Sequence, residues 1–176
     1  MKETINQIES LVRNSKIGKH KHFHSADRKQ SQSTILASIV IVSNSVISVL
    51  LVLRLLSQNL VWPTYTGLCL AIVATACTGY QTFRRLDRTS ELHRGIGNSY
   101  LEIAYRCRLI LAQFEDGTIS DEELSQKSAV LLDDYQAVNR AAEPLSTSKR
   151  DFEFAKSAYA NSLESSQEVS VHSKRH

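Results

Sequence analysis

The sequence predicts an all-α membrane protein, built from a two-helix transmembrane hairpin and a bundle of cytosolic helices. An apolar region of more than fifty residues lies between Lys29 and Arg84, and Arg54 is the one formal charge inside it. The 176 residues include 6 glycines and 2 prolines, which favours long helices over a turn-rich sheet. Apolar residues also recur at helical spacing on both sides of this region. These observations together predict the fold class.

Composition divides the chain into four segments. They are an amphipathic and basic juxtamembrane helix (residues 1–30), the transmembrane hairpin (31–84), cytosolic helices (85–163) and a polar tail (164–176). The tail lacks periodicity, and we expect it to fray or to be disordered. A chain of this length has no room for a separate catalytic domain of ordinary size beside a membrane region.

The apolar region is long enough for two membrane spans. A helix needs about 20 apolar residues to cross a bilayer, and residues 34–53 and 63–83 supply two such lengths. Ser57, Gln58 and Asn59 make a polar turn between them. Pro63 suits the first turn of the second helix, because a backbone N–H there has no intrahelical partner. The sequence therefore predicts a hairpin that turns near Ser57.

The charges beside the two spans predict their orientation. Basic residues flank both outer ends, and the short turn between the spans offers Arg54 alone: Lys19, Lys21, Arg28 and Lys29 precede the first span, and Arg84, Arg85 and Arg88 follow the second. Both termini are therefore expected on the cytosolic side, with the lipid bilayer as a partner. The first 30 residues contain no continuous apolar core, so we expect no cleavable signal peptide. A buried hairpin of a soluble helical protein is the alternative, and it requires a large partner surface to cover two apolar helices.

The net charge is +3. Because the basic residues gather beside the apolar region, contact with lipid headgroups explains them better than a nucleic-acid stripe. We expect no nucleic-acid partner. Cys69 and Cys77 fall in the apolar region and Cys107 falls on a predicted helix. They form neither a disulfide framework nor a metal-binding pair, and we expect them to be small packing residues.

The first span carries a face of small polar residues. At 100° per residue the members of this face are Thr34, Ser38, Ser45 and Ser48, with Asn44 at its margin. Packing between helices would explain such a face. A sharper hypothesis is that it lines a water path when several copies assemble into a homo-oligomer, because one hairpin encloses no pore.

The second span carries a seam of small residues. Gly67, Ala71, Ala74 and Thr78 share one face, and small side chains let transmembrane helices approach closely. The sequence predicts that helices pack along this seam.

Three alternating histidines precede the first span. His20, His22 and His24 lie in a basic stretch that follows a short amphipathic segment. Alternation by two scatters side chains around a helix, and no cysteine or carboxylate set completes a metal site. We therefore predict neither a metal nor a cofactor here, and interpret the stretch as an interfacial basic collar with pH-dependent charge.

A heptad-like seam follows the second span. Its members are spaced by alternating fours and threes: Ile96, Tyr100, Ile103, Cys107, Ile110 and Phe114. The pattern continues through Leu124 and Leu131 in a second helix, and Phe152 and Tyr159 mark a third. The simplest interpretation is antiparallel packing within one chain, with coiling between chains as the alternative.

Local signals predict the joints between these helices. Gly117 ends one helix, and Ser120 with Glu123 forms a capping box for the next. Pro144 breaks the chain, and Ser148 is placed to cap the last helix.

No catalytic set can be assembled from the remaining residues. The connection after the first cytosolic helix mimics half of a calcium loop, but Ala112 and Phe114 stand where the first two oxygen ligands belong. Gly95 and Gly97 predict a kink better than a phosphate loop. A nucleophile with a base and paired carboxylates are also absent from the pattern. We therefore expect no enzyme.

The layout resembles the SLATT domain family, two-span membrane effectors of bacterial nucleotide-signalling conflict systems. The resemblance covers nearly the whole chain. It rests on the basic helix that leads into the hairpin and on the stretch Glu91-Leu92-His93-Arg94-Gly95-Ile96-Gly97-Asn98-Ser99-Tyr100. It rests also on a tyrosine helix that runs into Ala142-Glu143-Pro144, then Ser148, Asp151-Phe152 and Ala155-Lys156. The family commonly has Ala-Pro at this break, and here Glu143 intervenes.

The resemblance implies a function. Such a chain would oligomerise into a pore or disrupt the bacterial inner membrane, and so kill or arrest an infected cell in antiphage defence by abortive infection. It would respond to a nucleotide second messenger or to a sensor protein, because such effectors are typically encoded beside a nucleotidyltransferase. The alternative function is a non-conducting membrane scaffold that tethers a cytosolic complex.

Overall fold

The chain folds into helices. The computed structural model describes the backbone of residues 2–57, 59 and 61–173, and the side chains of this part as far as Glu164. Within these residues there are five helices and no strand: α1 (Lys2–Leu56), α2 (Trp62–Arg84), α3 (Leu86–Glu115), α4 (Asp121–Ala142) and α5 (Lys149–Ser173). The all-α prediction is confirmed.

Helix α1 is continuous over 55 residues. A rise of about 1.5 Å per residue makes it roughly 80 Å long. The sequence predicts a juxtamembrane helix and a separate membrane span over this stretch. They join without a break because the stretch has no proline and one glycine, Gly18.

The second helix begins and ends near its predicted bounds. Pro63 lies at its first turn, as predicted, whereas Gln58 of the predicted turn is outside the described residues. Helix α2 ends at Arg84, where Arg85 adopts a left-handed backbone conformation with φ 45° and donates its N–H to the Gln81 carbonyl at 2.9 Å. This conformation is uncommon for a residue with a Cβ atom, and no sequence signal indicated it.

The predicted joints of the later helices are confirmed. Gly117 follows α3 with a φ of 67°. The Ser120 hydroxyl accepts the Glu123 N–H, and the Glu123 carboxylate accepts the Ser120 N–H, which closes the capping box of α4. The Ser148 hydroxyl accepts the Asp151 N–H at 3.2 Å, at the start of α5. Helix α5 continues to Ser173, past the point near Glu164 where the sequence predicted a tail.

The described chain divides into two compact units. The larger unit takes in the chain through Ala26 and from Glu91 onward, and the smaller unit comprises Asp27–Ser90. The larger unit has an apolar core drawn from α1, α3 and α4: Ile8, Leu11, Ile103, Cys107, Leu124 and Leu131. Each of these side chains is at most 5 % exposed. Burial of apolar side chains at about 25 cal/mol per Å² is the main force that holds such a core together.

In the smaller unit, α2 runs back along the C-terminal half of α1. Gln81, near the end of α2, donates from Nε2 to the Ser33 carbonyl oxygen at 2.7 Å. At the other end, Pro63 and Gly67 share an apolar cleft of about 310 Å³ with Leu50 and Arg54. The two segments therefore lie side by side in opposite directions.

Most apolar side chains of the smaller unit are exposed. Ile41 is 66 % exposed, Leu55 is 79 % exposed and Phe83 is 85 % exposed. Among the described residues, α1 is the one helix that is long and apolar enough to cross a membrane. Helix α2 has sufficient length, but threonines, tyrosines and glycines dilute its apolar residues. The second span therefore stays a prediction.

Candidate functional site

The small polar residues of α1 face away from α2. The predicted residues Thr34, Ser38, Asn44, Ser45 and Ser48, here named the polar face, are all exposed. Ser43 and Leu50, on the opposite side of the same segment, are 5 % and 7 % exposed. Because α2 covers that opposite side, the polar face is left as an outer surface of the smaller unit.

Two hydroxyl groups of the polar face, those of Ser45 and Ser48, are satisfied inside α1. Ser45 donates to the Ile41 carbonyl and Ser48 to the Asn44 carbonyl, each at 2.9 Å. Such bonds to the preceding turn let serine lie in an apolar medium at low cost. The Asn44 amide, by contrast, has no hydrogen-bond partner among the described residues. An unpaired amide in an apolar medium costs about 2–7 kcal/mol, which favours a contact from another helix.

The small residues of α2 mostly face α1. Ala74 is 7 % exposed, and Gly67 and Ala71 line the apolar cleft beside Leu50. Thr78 is exposed, and its hydroxyl donates to the Ala74 carbonyl at 2.9 Å. Three members of the predicted seam therefore pack within one chain, while Thr78 lies at its edge.

The predicted heptad seam of α3 lies in the larger unit. Tyr100, Ile103 and Cys107 are at most 4 % exposed, and Ile110 and Phe114 pack against the core at partial burial. Its first member, Ile96, is half-buried. The partners of this seam are residues of the same chain, such as Leu11 of α1 and Leu131 of α4.

A buried histidine pair joins α1 to α3. The Nδ1 atoms of His22 and His93 are 3.0 Å apart, and their rings are 1 % and 0 % exposed. The Ser25 hydroxyl lies 3.4 Å from His93 Nε2. The Tyr100 ring packs 5.8 Å from that of His22, and its hydroxyl donates to Asn139 Oδ1 at 2.6 Å. This network lies inside the larger unit.

The next histidine joins α1 to α5. His24 Nδ1 lies 2.8 Å from Oδ1 of Asp151, whose carboxylate is fully buried. The other carboxylate oxygen accepts the backbone N–H and the hydroxyl of Ser148, each at 2.8 Å. The His24 ring also stacks on Phe154, with 4.1 Å between centroids. Asp151 therefore caps α5 and holds it against α1.

Burial perturbs the ionisable groups of the histidine network. Desolvation, with smaller contributions from Lys21 and His93, lowers the pKa of His22 to about 4, although Asp151 opposes the shift. Burial and the nearby Tyr135 raise the pKa of Tyr100 to about 12. His22 is therefore neutral at physiological pH.

No local sequence pattern indicates this network. The alternation of His20, His22 and His24 predicts a basic collar at the membrane surface. The structure instead places His22 and His24 in contacts within the larger unit. In the described part of the chain no group of three or more histidine, cysteine, aspartate or glutamate side chains is arranged to hold a metal ion.

Comparison with known families identifies one match. A family model described as "SMODS and SLOG-associating 2TM effector domain family 4" matches residues 7–170. The comparisons with curated proteins and with solved structures give no match. The matched residues take in all five helices, so the resemblance seen in the sequence extends over the polar face, the α3 seam and the histidine network.

Proposed function

Because the chain belongs to this family of two-transmembrane effector domains, we propose that it is an effector of the bacterial inner membrane whose copies assemble into a pore. The family description supports the membrane and effector parts of this proposal. It is also the basis for placing the chain in a conflict system, where loss of membrane integrity halts an infected cell. We propose no catalytic step for it.

The observation that carries the pore proposal is the outward direction of the polar face. Within one chain α2 covers the opposite side of α1, so the described residues leave the polar face exposed. Lipid offers the polar face no hydrogen bonds, and Asn44 finds no partner among the described residues. Several copies arranged in a ring would turn their polar faces towards a shared interior that water can fill, and would supply hydrogen-bond partners for Asn44.

The trigger lies outside the membrane segments in this proposal. A nucleotide second messenger or a sensor protein would act on the larger unit and shift the chain from a closed to an open assembly. Such a ligand must bind the two states with different affinity, because equal affinity shifts no equilibrium.

Leucine substitution of the polar face tests the pore directly. We predict that overexpression, which favours assembly by mass action even without the trigger, depolarises bacterial cells as measured with a potential-sensitive dye, and that S38L/S45L/S48L abolishes depolarisation. The substituted helix is more apolar, so it should insert at least as well as the wild type. T66L/T75L, which changes two exposed hydroxyl residues of α2, is the matched control and should still depolarise.

The scaffold alternative has an observation in its favour. The Ser45 and Ser48 hydroxyls are already bonded to carbonyls within α1, so these serines tolerate lipid without lining water. A scaffold would keep its cytosolic partner in a pull-down after S38L/S45L/S48L and would never depolarise cells. Depolarisation that survives the triple substitution, at equal membrane abundance, contradicts the pore.

A further inference from the structure

A cleft in the larger unit opens between α1, α3 and α5. Its volume is about 530 Å³, and its lining includes Ser10 of α1, Leu111 of α3 and Leu163 of α5. Small-molecule sites in proteins typically span about 300–1,000 Å³. The cleft is therefore large enough to hold a small organic ligand.

Three cationic side chains line this cleft. Arg13 and Lys16 come from α1 and Arg108 comes from α3, and Glu9 is the one acidic residue of the lining within the described chain. Burial, together with the charges of Arg108 and Lys19, lowers the pKa of Lys16. Like charges held together in this way repel one another. An anion in the cleft would relieve that repulsion.

The cations of the cleft form no ion pair with another side chain that the structure describes. Arg106, two residues before Arg108 on α3, binds Asp134 at 2.6 Å. Among the described residues, by contrast, Arg13, Lys16 and Arg108 have no carboxylate within ion-pair distance. Arginine is well suited to phosphate, because its planar donors match the phosphate oxygens.

The cleft lining also includes aromatic and apolar side chains. Tyr159 of α5 is half-buried there, and Lys16 Nζ lies 5.7 Å from the centroid of its ring. Val12 and Leu111 add aliphatic surface. A bare inorganic anion would use the cations alone, whereas a ligand with a flat ring beside its phosphate would also contact the aromatic and apolar side chains.

We propose that this cleft binds a small soluble molecule that carries phosphate next to a planar ring, which is the chemistry of a nucleotide. Arg13, Lys16 and Arg108 bind the phosphate, Tyr159 stacks on the ring, and Asn6 and Ser10 are placed to donate hydrogen bonds. Only its role as the trigger of the membrane assembly rests on the proposed function. The ligand would join three helices, and so change the relative stability of their arrangements.

Calorimetric titration of the full-length chain in phosphatidylcholine nanodiscs tests the proposal. The probes are ATP, cyclic di-AMP and inorganic phosphate. At least one nucleotide should bind, and each of R13Q, K16Q and R108Q should weaken it about tenfold. Y159A should weaken the nucleotide but leave the weaker binding of phosphate unchanged. K149Q and R150Q, which remove exposed cations outside the cleft, are the matched controls.

The variants are expected to fold, because removing one like charge relieves repulsion, and circular dichroism melts check this. The proposal is overturned if no nucleotide binds. It is also overturned if R13Q, K16Q and R108Q bind the nucleotide as tightly as the control variants do. Phosphate that binds as tightly as the nucleotides overturns the role of Tyr159. If the nucleotides do not bind and R108Q instead weakens association with phosphatidylglycerol vesicles, a lipid headgroup is the phosphate source and the soluble ligand is rejected.

The same titration separates this site from the pore. S38L/S45L/S48L should bind the nucleotide as the wild type does, because its substitutions lie outside the cleft. Loss of depolarisation in that variant with intact binding is the expected pattern. If depolarisation requires the polar face but neither the wild type nor any variant binds a nucleotide, the proposed ligand site is rejected and the pore proposal stands.

Discussion

His22 and His93 share one hydrogen bond between two identical atoms, and this restricts their protonation. At 3.0 Å, one Nδ1 must carry the hydrogen and the other must accept it. The two Nδ1 atoms therefore cannot both carry a hydrogen, so at least one of the two rings is neutral. Protonation of both rings would leave two N–H donors facing each other in a buried site, with Lys21 adding positive charge nearby.

This arrangement predicts that the larger unit loses stability in mild acid. The pKa of His22 is about 4 in the folded chain and 6.5 in its ordinary state. Between these values the unfolded chain binds a proton that the folded chain does not. The free energy of unfolding therefore falls as the pH drops from about 6.5 towards 4, by at most about 3 kcal/mol from His22.

Thermal melts followed by circular dichroism from pH 7.5 to pH 5 measure this slope. H22F keeps an aromatic ring against Tyr100 but cannot titrate, so its melting temperature should be lower overall and depend less on pH. H20Q is the comparison, because His20 is only half-buried, and it should keep most of the slope. Equal slopes in H22F and the wild type would show that His22 is not the group responsible.

At the scale of the helix, α3 passes through Gly95 and Gly97 without ending. The two glycines differ in their surroundings. A Cβ atom at Gly97 would meet the Phe23 ring of α1 at 2.6 Å, whereas a Cβ atom at Gly95 would meet nothing within 4 Å. Gly97 therefore permits close approach of two helices, and Gly95 is a helical glycine without a packing role in the described chain.

Alanine substitution at the two positions should have opposite effects. G95A should raise the free energy of unfolding by up to about 1 kcal/mol, because alanine favours helix more than glycine does. G97A should lower it by about 1–2 kcal/mol net, because overpacking against Phe23 exceeds the same helical gain. Denaturant titrations of both variants in one detergent provide the comparison. A stabilised G97A would mean that Phe23 moves aside at little cost.

Local chemistry explains which elements were predictable. The Gly117 and Ser120 joints depend on neighbouring residues, so their pattern is visible in the sequence. The end of α2 depends on Arg85 in a left-handed conformation that its side chain does not signal. The polar face could be read from spacing, because helical periodicity fixes which residues share a side. The sequence did not show which side α2 would cover.

The histidine network, by contrast, could not be predicted from the sequence. His22 and His93 are 71 residues apart in the chain, and His24 and Asp151 are 127 apart. No local pattern links residues at such separations, and each histidine alone resembles part of a basic stretch. The cleft likewise combines Arg13, Arg108 and Tyr159 from three helices. Only the folded arrangement shows that these residues meet.

For the whole molecule, the charge distribution predicts that both ends lie on the cytosolic side. Fusions of green fluorescent protein and of alkaline phosphatase at each terminus measure this. Both termini should give fluorescence and neither should give phosphatase activity, because basic residues flank both outer ends of the apolar region. Reporters on opposite sides would mean that α1 crosses the membrane and α2 does not. Recovery of the untagged chain without detergent would reject both topologies.

The core of the larger unit comes from two separated stretches of chain. Ile8 and Leu11 precede the smaller unit, whereas Leu124 and Leu131 follow it. A ribosome synthesises the N-terminal stretch first, then the whole apolar region, and only then the residues that bury Ile8 and Leu11. The nascent N-terminal helix must therefore wait with its apolar side uncovered until α3 and α4 have been synthesised. A message cut short after residue 90 would yield a fragment in which Ile8 and Leu11 never gain their partners.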